Sequence, residues 1–181
     1  MNSMNYSITA ARQKEAFEAL REGSGYTNRM QAPRLVKVVV TSGVGSIPDK
    51  KRREYIGNLL TQIAGQKAAV TKAKKSIAAF KVRAGEIAGF RVTLRGSRMV
   101  SFVDKLIHIV LPRTRDFRGI DPKTVDEMGN VHVGIKEHTV FPEAAEADVK
   151  DLFGLNVTIV TSAKSKKEAE SFLKHIGFPL R

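Results

Sequence analysis

The segment from Gly65 to Gly96, GQKAAVTKAKKSIAAFKVRAGEIAGFRVTLRG, constrains the fold more than any other. Its final run, Phe90–Arg95, alternates cleanly, with Phe90, Val92 and Leu94 on one side and Arg91, Thr93 and Arg95 on the other. A period of two predicts a strand with one buried and one polar face. Ala68–Ala73 alternates weakly and predicts a second strand. Between them lies a basic loop of roughly fifteen residues, longer than a compact domain usually keeps without a use for it. Lys67, Lys72, Lys74, Lys75, Lys81, Arg83, Arg91 and Arg95 stand against one acid, Glu86, and apolar residues such as Val70, Ile77, Phe80 and Val82 are interleaved. The pattern predicts a positively charged finger rooted in a sheet whose open face is also basic, a geometry suited to a polyanion. The plain alternative is a solvated surface loop.

The rest of the chain leans the same way. Lys and Arg number 31 against 18 Asp and Glu, a net charge of +13, which implies a polyanionic partner and says nothing about fold. With 42% hydrophobic residues the chain is too apolar for a disordered basic arm. Cysteine is absent, so disulfides and Cys-ligated zinc are excluded. No apolar run approaches the ~20 residues that span a bilayer, and the N-terminal stretch has neither a signal-type core nor transit-peptide composition. The expectation is one cytoplasmic domain, residues 1–181, with no membrane partner.

The remaining elements follow from caps and periodicity. Ser7–Glu22 predicts a helix with Ser7 as N-cap and a stripe of Ile8, Ala11, Ala16, Phe17 and Leu20. Leu35–Thr41 is a β-branched run, read as a central strand, ending in the turn Ser42-Gly43-Val44-Gly45. Ser46 is expected to cap a second helix, with Ile56, Leu59, Leu60 and Ile63 buried and Gly65 closing it. Ser97 is expected to cap a third, with Met99, Phe102, Val103, Leu106, Ile107 and Val110 as its stripe and Pro112 as its stop. Residues 112–142 are irregular, apart from a turn at Glu127–Asn130 and a short strand at Val131–Ile135. A last strand, Leu155–Thr161, precedes a helix opened by the capping box Ser165–Glu168 and closed by Gly177. The fold class is α+β: a mostly antiparallel sheet, helices packed on its apolar face, and an open basic face plus the long basic loop. That open face carries Arg91, Thr93, Arg95, Asn156 and Thr158 and has no paired aromatics for splayed bases, which favours phosphates and 2′-hydroxyls of folded RNA.

Other chemistries find little support. Gly43-Val44-Gly45 lacks the third glycine and the Lys-Ser or Lys-Thr of a nucleotide loop, so it reads as a turn. His108, His132, His138 and His175 form no metal set, although His132 and His138 share strand parity. No nucleophile elbow or other catalytic motif is present, and no cofactor is implied. Arg113, Arg115 and Arg118 cluster with Phe117; they either face a partner or pair with the acidic group Glu143, Glu146, Asp148 and Asp151.

Several strings resemble a known family. Asn28–Val40 (NRMQAPRLVKVVV), Gly43-Val44-Gly45, Gly65–Phe80 (GQKAAVTKAKKSIAAF), Val92–Gly96 (VTLRG), Leu111–Gly119 (LPRTRDFRG), Phe141-Pro142-Glu143 and the terminal GFPLR are similar, in order and over almost the whole chain, to the 5S-rRNA-binding protein family of the large ribosomal subunit, its ribosomal protein five, in the bacterial form.

The resemblance implies a binding protein and no enzyme. In that family the sheet face and adjoining turns clasp 5S rRNA and tie the central protuberance to large-subunit rRNA. The basic loop, here Gln66–Val82, reaches toward peptidyl-site tRNA, and another surface bridges to a protein of the small-subunit head; neighbouring large-subunit proteins are further partners. The implied 5S rRNA residues are Asn28, Met30, Gln31, Arg34, Thr41, Ser42, Gly43, Arg91, Thr93 and Arg95. The implied tRNA residues are Gln66, Lys67, Lys72, Lys74, Lys75 and Ser76, while Arg113, Arg115 and Arg118 are candidates for other rRNA or bridge contacts. This chain departs from the family pattern at Thr41-Ser42, where Asn and a larger residue are usual, at Val131 in place of Tyr, at His138 in place of Gln, and in the acidic turn Asp126-Glu127-Met128. Two other classes remain: an RNA chaperone or translation regulator on the same fold, and an RNA-directed enzyme, which requires a convergent acid or base pair near the basic face.

Overall fold

The computed structural model describes residues 7–80, 82–144 and 152–181. Among them are four helices and one five-stranded antiparallel sheet: α1 (Ile8–Ser24), β1 (Leu35–Gly43), α2 (Lys50–Ala64), β2 (Ala69–Lys72), β3 (Ile87–Leu94), α3 (Gly96–Lys105), β4 (Val131–Ile135), β5 (Leu155–Thr161) and α4 (Lys166–Ile176). The strand order is β2-β3-β1-β5-β4, so β1 is central as its β-branched run predicts. Among the described residues between α3 and β5, short 3-10 turns form at Pro122–Thr124, His138–Val140 and Pro142–Ala144. The chain divides into two compact units: Met1–Val38 with Arg95–Val133 and Thr158–Arg181, and Val39–Leu94 with Gly134–Val157.

In the first unit, α1 packs against α3 and α4. Ser7 caps α1, accepting from Ala10 N at 3.2 Å, and its hydroxyl donates to Asp104. The buried face of α1 differs from the expected stripe: Ile8 is exposed, and Thr9, 0% exposed, is turned inward. Asp104 of α3 decides this by accepting from Thr9 N (2.9 Å) and Oγ1 (2.6 Å), which satisfies the buried hydroxyl. The helix also runs on to Ser24, where Gly25 supplies the left-handed C-cap. Arg12 donates to Ile176 O (2.7 Å) at the end of α4, seated over Gly177. A β-carbon at Gly177 would fall 2.1 Å from Arg12 Nη1.

Two expectations for α3 are corrected. It begins at Gly96, with Arg95 in the cap position and no side-chain cap; Ser97 lies inside the first turn. Pro112 does not stop it. A wide π turn over Leu106–Val110, with Leu111 N bonding to Leu106 O, carries the chain into a last turn, Leu111–Arg113. Proline lacks an N–H and its ring crowds the carbonyl four residues back, a conflict a local change of helical pitch can relieve.

In the second unit, α2 packs on β3. Its cap is Asp49, which accepts from Lys51 N at 2.9 Å, in place of the expected Ser46. Ile56, Leu59, Leu60 and Ile63 are buried as the spacing predicts. Gly57 lets the helix settle on Phe90: a β-carbon there would lie 2.8 Å from that ring. β3 buries Phe90, Val92 and Leu94, leaves Arg91 exposed and Thr93 half-buried, and starts three residues before the alternating run. His138 is not on β4 with His132: the strand ends at Ile135, and His138 sits fully buried in a turn, stacked on Phe153 at 4.2 Å. Its Nδ1 accepts from Phe153 N at 3.3 Å.

Candidate nucleic-acid interface

Each unit presents its own basic, hydrogen-bonding surface. In the first, Asn28 caps a 3-10 turn over Arg29–Gln31, with Oδ1 accepting from Met30 N at 3.0 Å. Gln31 Oε1 reaches back to Thr27 N (2.9 Å) and Asn28 N (3.3 Å). The two side-chain oxygens therefore hold the turn, and the two amide NH2 groups are available as donors. Met30 at its crest is 79% exposed. Arg34 is anchored through its backbone N to Ser162 Oγ (2.9 Å), its side chain exposed. Lys14, Phe17, Arg29, Met30, Pro33 and Arg34 line a recess of about 220 Å³, with an apolar floor and three cations around it.

Also in this unit, Arg95 is exposed and makes no capping bond. Arg113, Arg115 and Arg118 are exposed. Of the acids that could pair with them, Glu146, Asp148 and Asp151 lie outside the described residues. The RDFRG string is held by the chain's end: Ile120 N bonds to Pro179 O (2.8 Å), Arg181 N to Ile120 O (3.0 Å) and Arg181 Nε to Arg118 O (2.7 Å). Two strings far apart in sequence thus form one clasp.

On β4, His132 Nδ1 lies 3.1 Å from Thr158 Oγ1 and Nε2 lies 3.7 Å from Asp126. Desolvation pushes the Asp126 carboxyl up, but hydrogen bonds from the Asn130 side chain and backbone, with His132, outweigh it and hold the group below the ordinary value of 3.8. Those bonds close the Asp126–Asn130 turn. Among the described residues no group of three or more His, Cys, Asp or Glu is placed to hold a metal.

In the second unit, strand parity separates two neighbours the sequence left together. Thr41 is half-buried, with Oγ1 3.4 Å from Asn156 O. Ser42 points the other way: it is 3% exposed and donates to Gly154 O at 2.9 Å, so its hydroxyl is committed to the interior. Gly43 is exposed. Thr41, Gly43, Gly134, Lys136, Gly154 and Asn156 line an open trough of about 450 Å³. Gly134 and Lys136 were not singled out from the sequence. The alternation of Val131–Ile135, with His132 and Gly134 outward, is the signal that marks them.

The finger is more ordered than a loop. β2 pairs with β3 in the register Ala69↔Arg91 and Val70↔Phe90, with an irregularity after Thr71. Ala73 N bonds to Glu86 O (2.8 Å) and Gly85 N to Ala73 O (2.9 Å), extending the hairpin. Ile77 and Val82 close the tip around a 3-10 turn at Ala78–Phe80. Lys67, Lys72, Lys74, Lys75 and Ser76 are exposed; Lys81 lies outside the described residues. Ser76 Oγ accepts from Ala84 N (2.9 Å), and Gln66 Nε2 donates to Thr93 O (3.3 Å), tying the finger's base to the strand. Glu86 accepts from Arg83 N at 3.0 Å.

Residues 28–83 match the family described as ribosomal protein L5, and residues 87–180 match the C-terminal part of the ribosomal L5 family. The chain belongs to the ribosomal protein L5 family. Its relatives include the large ribosomal subunit protein uL5 of Desulfotalea psychrophila, 48% identical over 92% of this chain and 94% of the relative. The Geobacter sulfurreducens protein of that name is 47% identical over 93% and 94%, and that of Ruminiclostridium cellulolyticum 49% over 91% and 92%. The resemblance read from GQK…TKAKKS and LPRTRDFRG is confirmed, and membership makes the chain a structural, non-enzymatic protein of the large ribosomal subunit. No helix among the described residues is long and apolar enough to cross a membrane.

Proposed function

We propose that this L5-family protein binds 5S rRNA in the central protuberance, beside large-subunit rRNA and neighbouring proteins, and that its finger contacts peptidyl-site tRNA. The observation that carries the reading is β3, which buries Phe90, Val92 and Leu94 and leaves Arg91 and Thr93 on the other side. A face so divided keeps cations and hydroxyls in fixed array. Phosphate neutralisation sets affinity, and the rigid array reads RNA shape and 2′-hydroxyls. The Asn28–Gln31 turn, Arg34, Arg95, Thr41 and Gly43 add donors and close approaches. Ser42 serves this surface by fixing β1 against Gly154 from within. Lys67, Lys72, Lys74, Lys75 and Ser76, at the finger's surface, meet tRNA. Arg113, Arg115 and Arg118 are assigned to further rRNA or to the small-subunit head protein.

The test is the double variant Arg91→Ala, Thr93→Val. It is expected to keep its helix content by circular dichroism and to lose at least 10-fold in 5S rRNA affinity, as about 1.4 kcal/mol of lost contacts requires. Unaltered affinity in a folded variant would remove the sheet face from the interface.

A further inference from the structure

At the tip of the finger stands a group that phosphate binding does not use. Phe80 is 75% exposed, the one phenylalanine of the chain's nine with most of its surface in water. Six of the others are buried in the core. The exposure is built in: Ile77 N bonds to Val82 O (3.0 Å), Val82 N to Ile77 O (3.2 Å) and Phe80 N to Ile77 O (3.3 Å), a closed turn that carries the ring outward. Ile77 beside it is also exposed, as are Lys72, Lys74 and Lys75 on the same hairpin. Held aromatic surface is costly in water, and a partner that covers it inside a cationic field must offer a flat apolar face within a polyanion. Nucleobases do so.

We infer that Phe80 stacks on an unpaired or terminal-face base of the RNA that the finger contacts, so that the tip reads base surface while the lysines hold phosphates. This rests on the assignment of the finger to tRNA. Stacking is tolerant of base identity; it requires a base face that is not already covered. The finger would therefore select an RNA feature by its exposed base, where the lysines alone would accept any backbone.

The experiment uses large subunits lacking this protein, rebuilt with the full chain or its variants, joined to small subunits and loaded with peptidyl-site tRNA. Release of tRNA is followed for wild type, Phe80→Ala, Phe80→Leu, Phe80→Trp and the triple Lys72→Ala, Lys74→Ala, Lys75→Ala. Phe80→Ala is expected to release tRNA about 5-fold to 100-fold faster, the range for loss of one stacked base. Phe80→Trp is expected to match wild type and Phe80→Leu to behave as alanine does. Rescue by Leu equal to Trp would indicate an apolar protein socket and overturn the stacking. Wild-type release from Phe80→Ala, with fast release from the triple variant, would overturn it while leaving the tRNA assignment intact. Wild-type release from both would remove that assignment as well.

Discussion

A β-carbon built on Gly89 falls 2.6 Å from the carbonyl oxygen of Ser42, so β1 and β3 approach more closely here than any side chain allows. The contact is backbone to backbone and has no flexible end to move. Gly89→Ala is therefore expected to destabilise the protein by about 1–3 kcal/mol, the usual cost of overpacking a close contact. Urea denaturation checks this; a midpoint equal to wild type would show that the strands part at no cost.

Gly134 behaves oppositely. Nothing lies within 4 Å of a β-carbon there, and the backbone is not left-handed. Gly134→Val is expected to melt at or above the wild-type temperature, with up to about 1 kcal/mol gained from a stiffer unfolded chain. It fills part of the trough beside Thr41 and Asn156, so 5S rRNA affinity is expected to fall. Thermal melting and an RNA titration on one preparation separate the two effects.

Thr41 and Ser42, adjacent in sequence, should separate in the same way. Ser42→Ala strands the Gly154 carbonyl and is expected to cost about 1–3 kcal/mol, with RNA affinity of the folded protein retained. Thr41→Val is expected to leave stability within about 0.5 kcal/mol, as for other changes away from the core, and to weaken RNA binding. A reversed pattern would mean that the strand's two faces had been exchanged.

The same pair shows what the sequence can carry. Where polar and apolar residues alternate, as in β3 and β5, faces and burial are legible. The run LVKVVVTSG hides its parity because valine occupies both sides, and Lys37, half-buried like Thr41, is the one residue that betrays it. Capping is legible where one candidate exists, as at Ser165, which receives Glu168 N at 3.4 Å. It misleads before α2, where Ser46 and Asp49 compete. The inward turn of Thr9 depends on Asp104, 95 positions away, and the order of the finger on Ala73 and Glu86; local pattern holds neither. Family strings pointed to the family and implied the proposed site residues, but not that Ser42 faces inward.

The Asp126 turn gives a pH dependence. Its native carboxyl lies below the ordinary 3.8, so folding favours the ionised form. The resulting stabilisation is complete above the ordinary value and is lost as pH falls through the lowered native one. Side-chain NMR should find the Asp126 midpoint below 3.8 and should find it raised in Asn130→Ala; an unchanged midpoint would remove the Asn130 amide as its cause.

The most direct measurement is a salt titration of the purified protein on 5S rRNA, with an RNA duplex of equal length as competitor. Shape-specific recognition by the sheet face predicts binding that survives moderate salt and resists the duplex. Binding that the duplex removes equally well, with affinity collapsing steeply as salt rises, would contradict it and leave only a generic polycation.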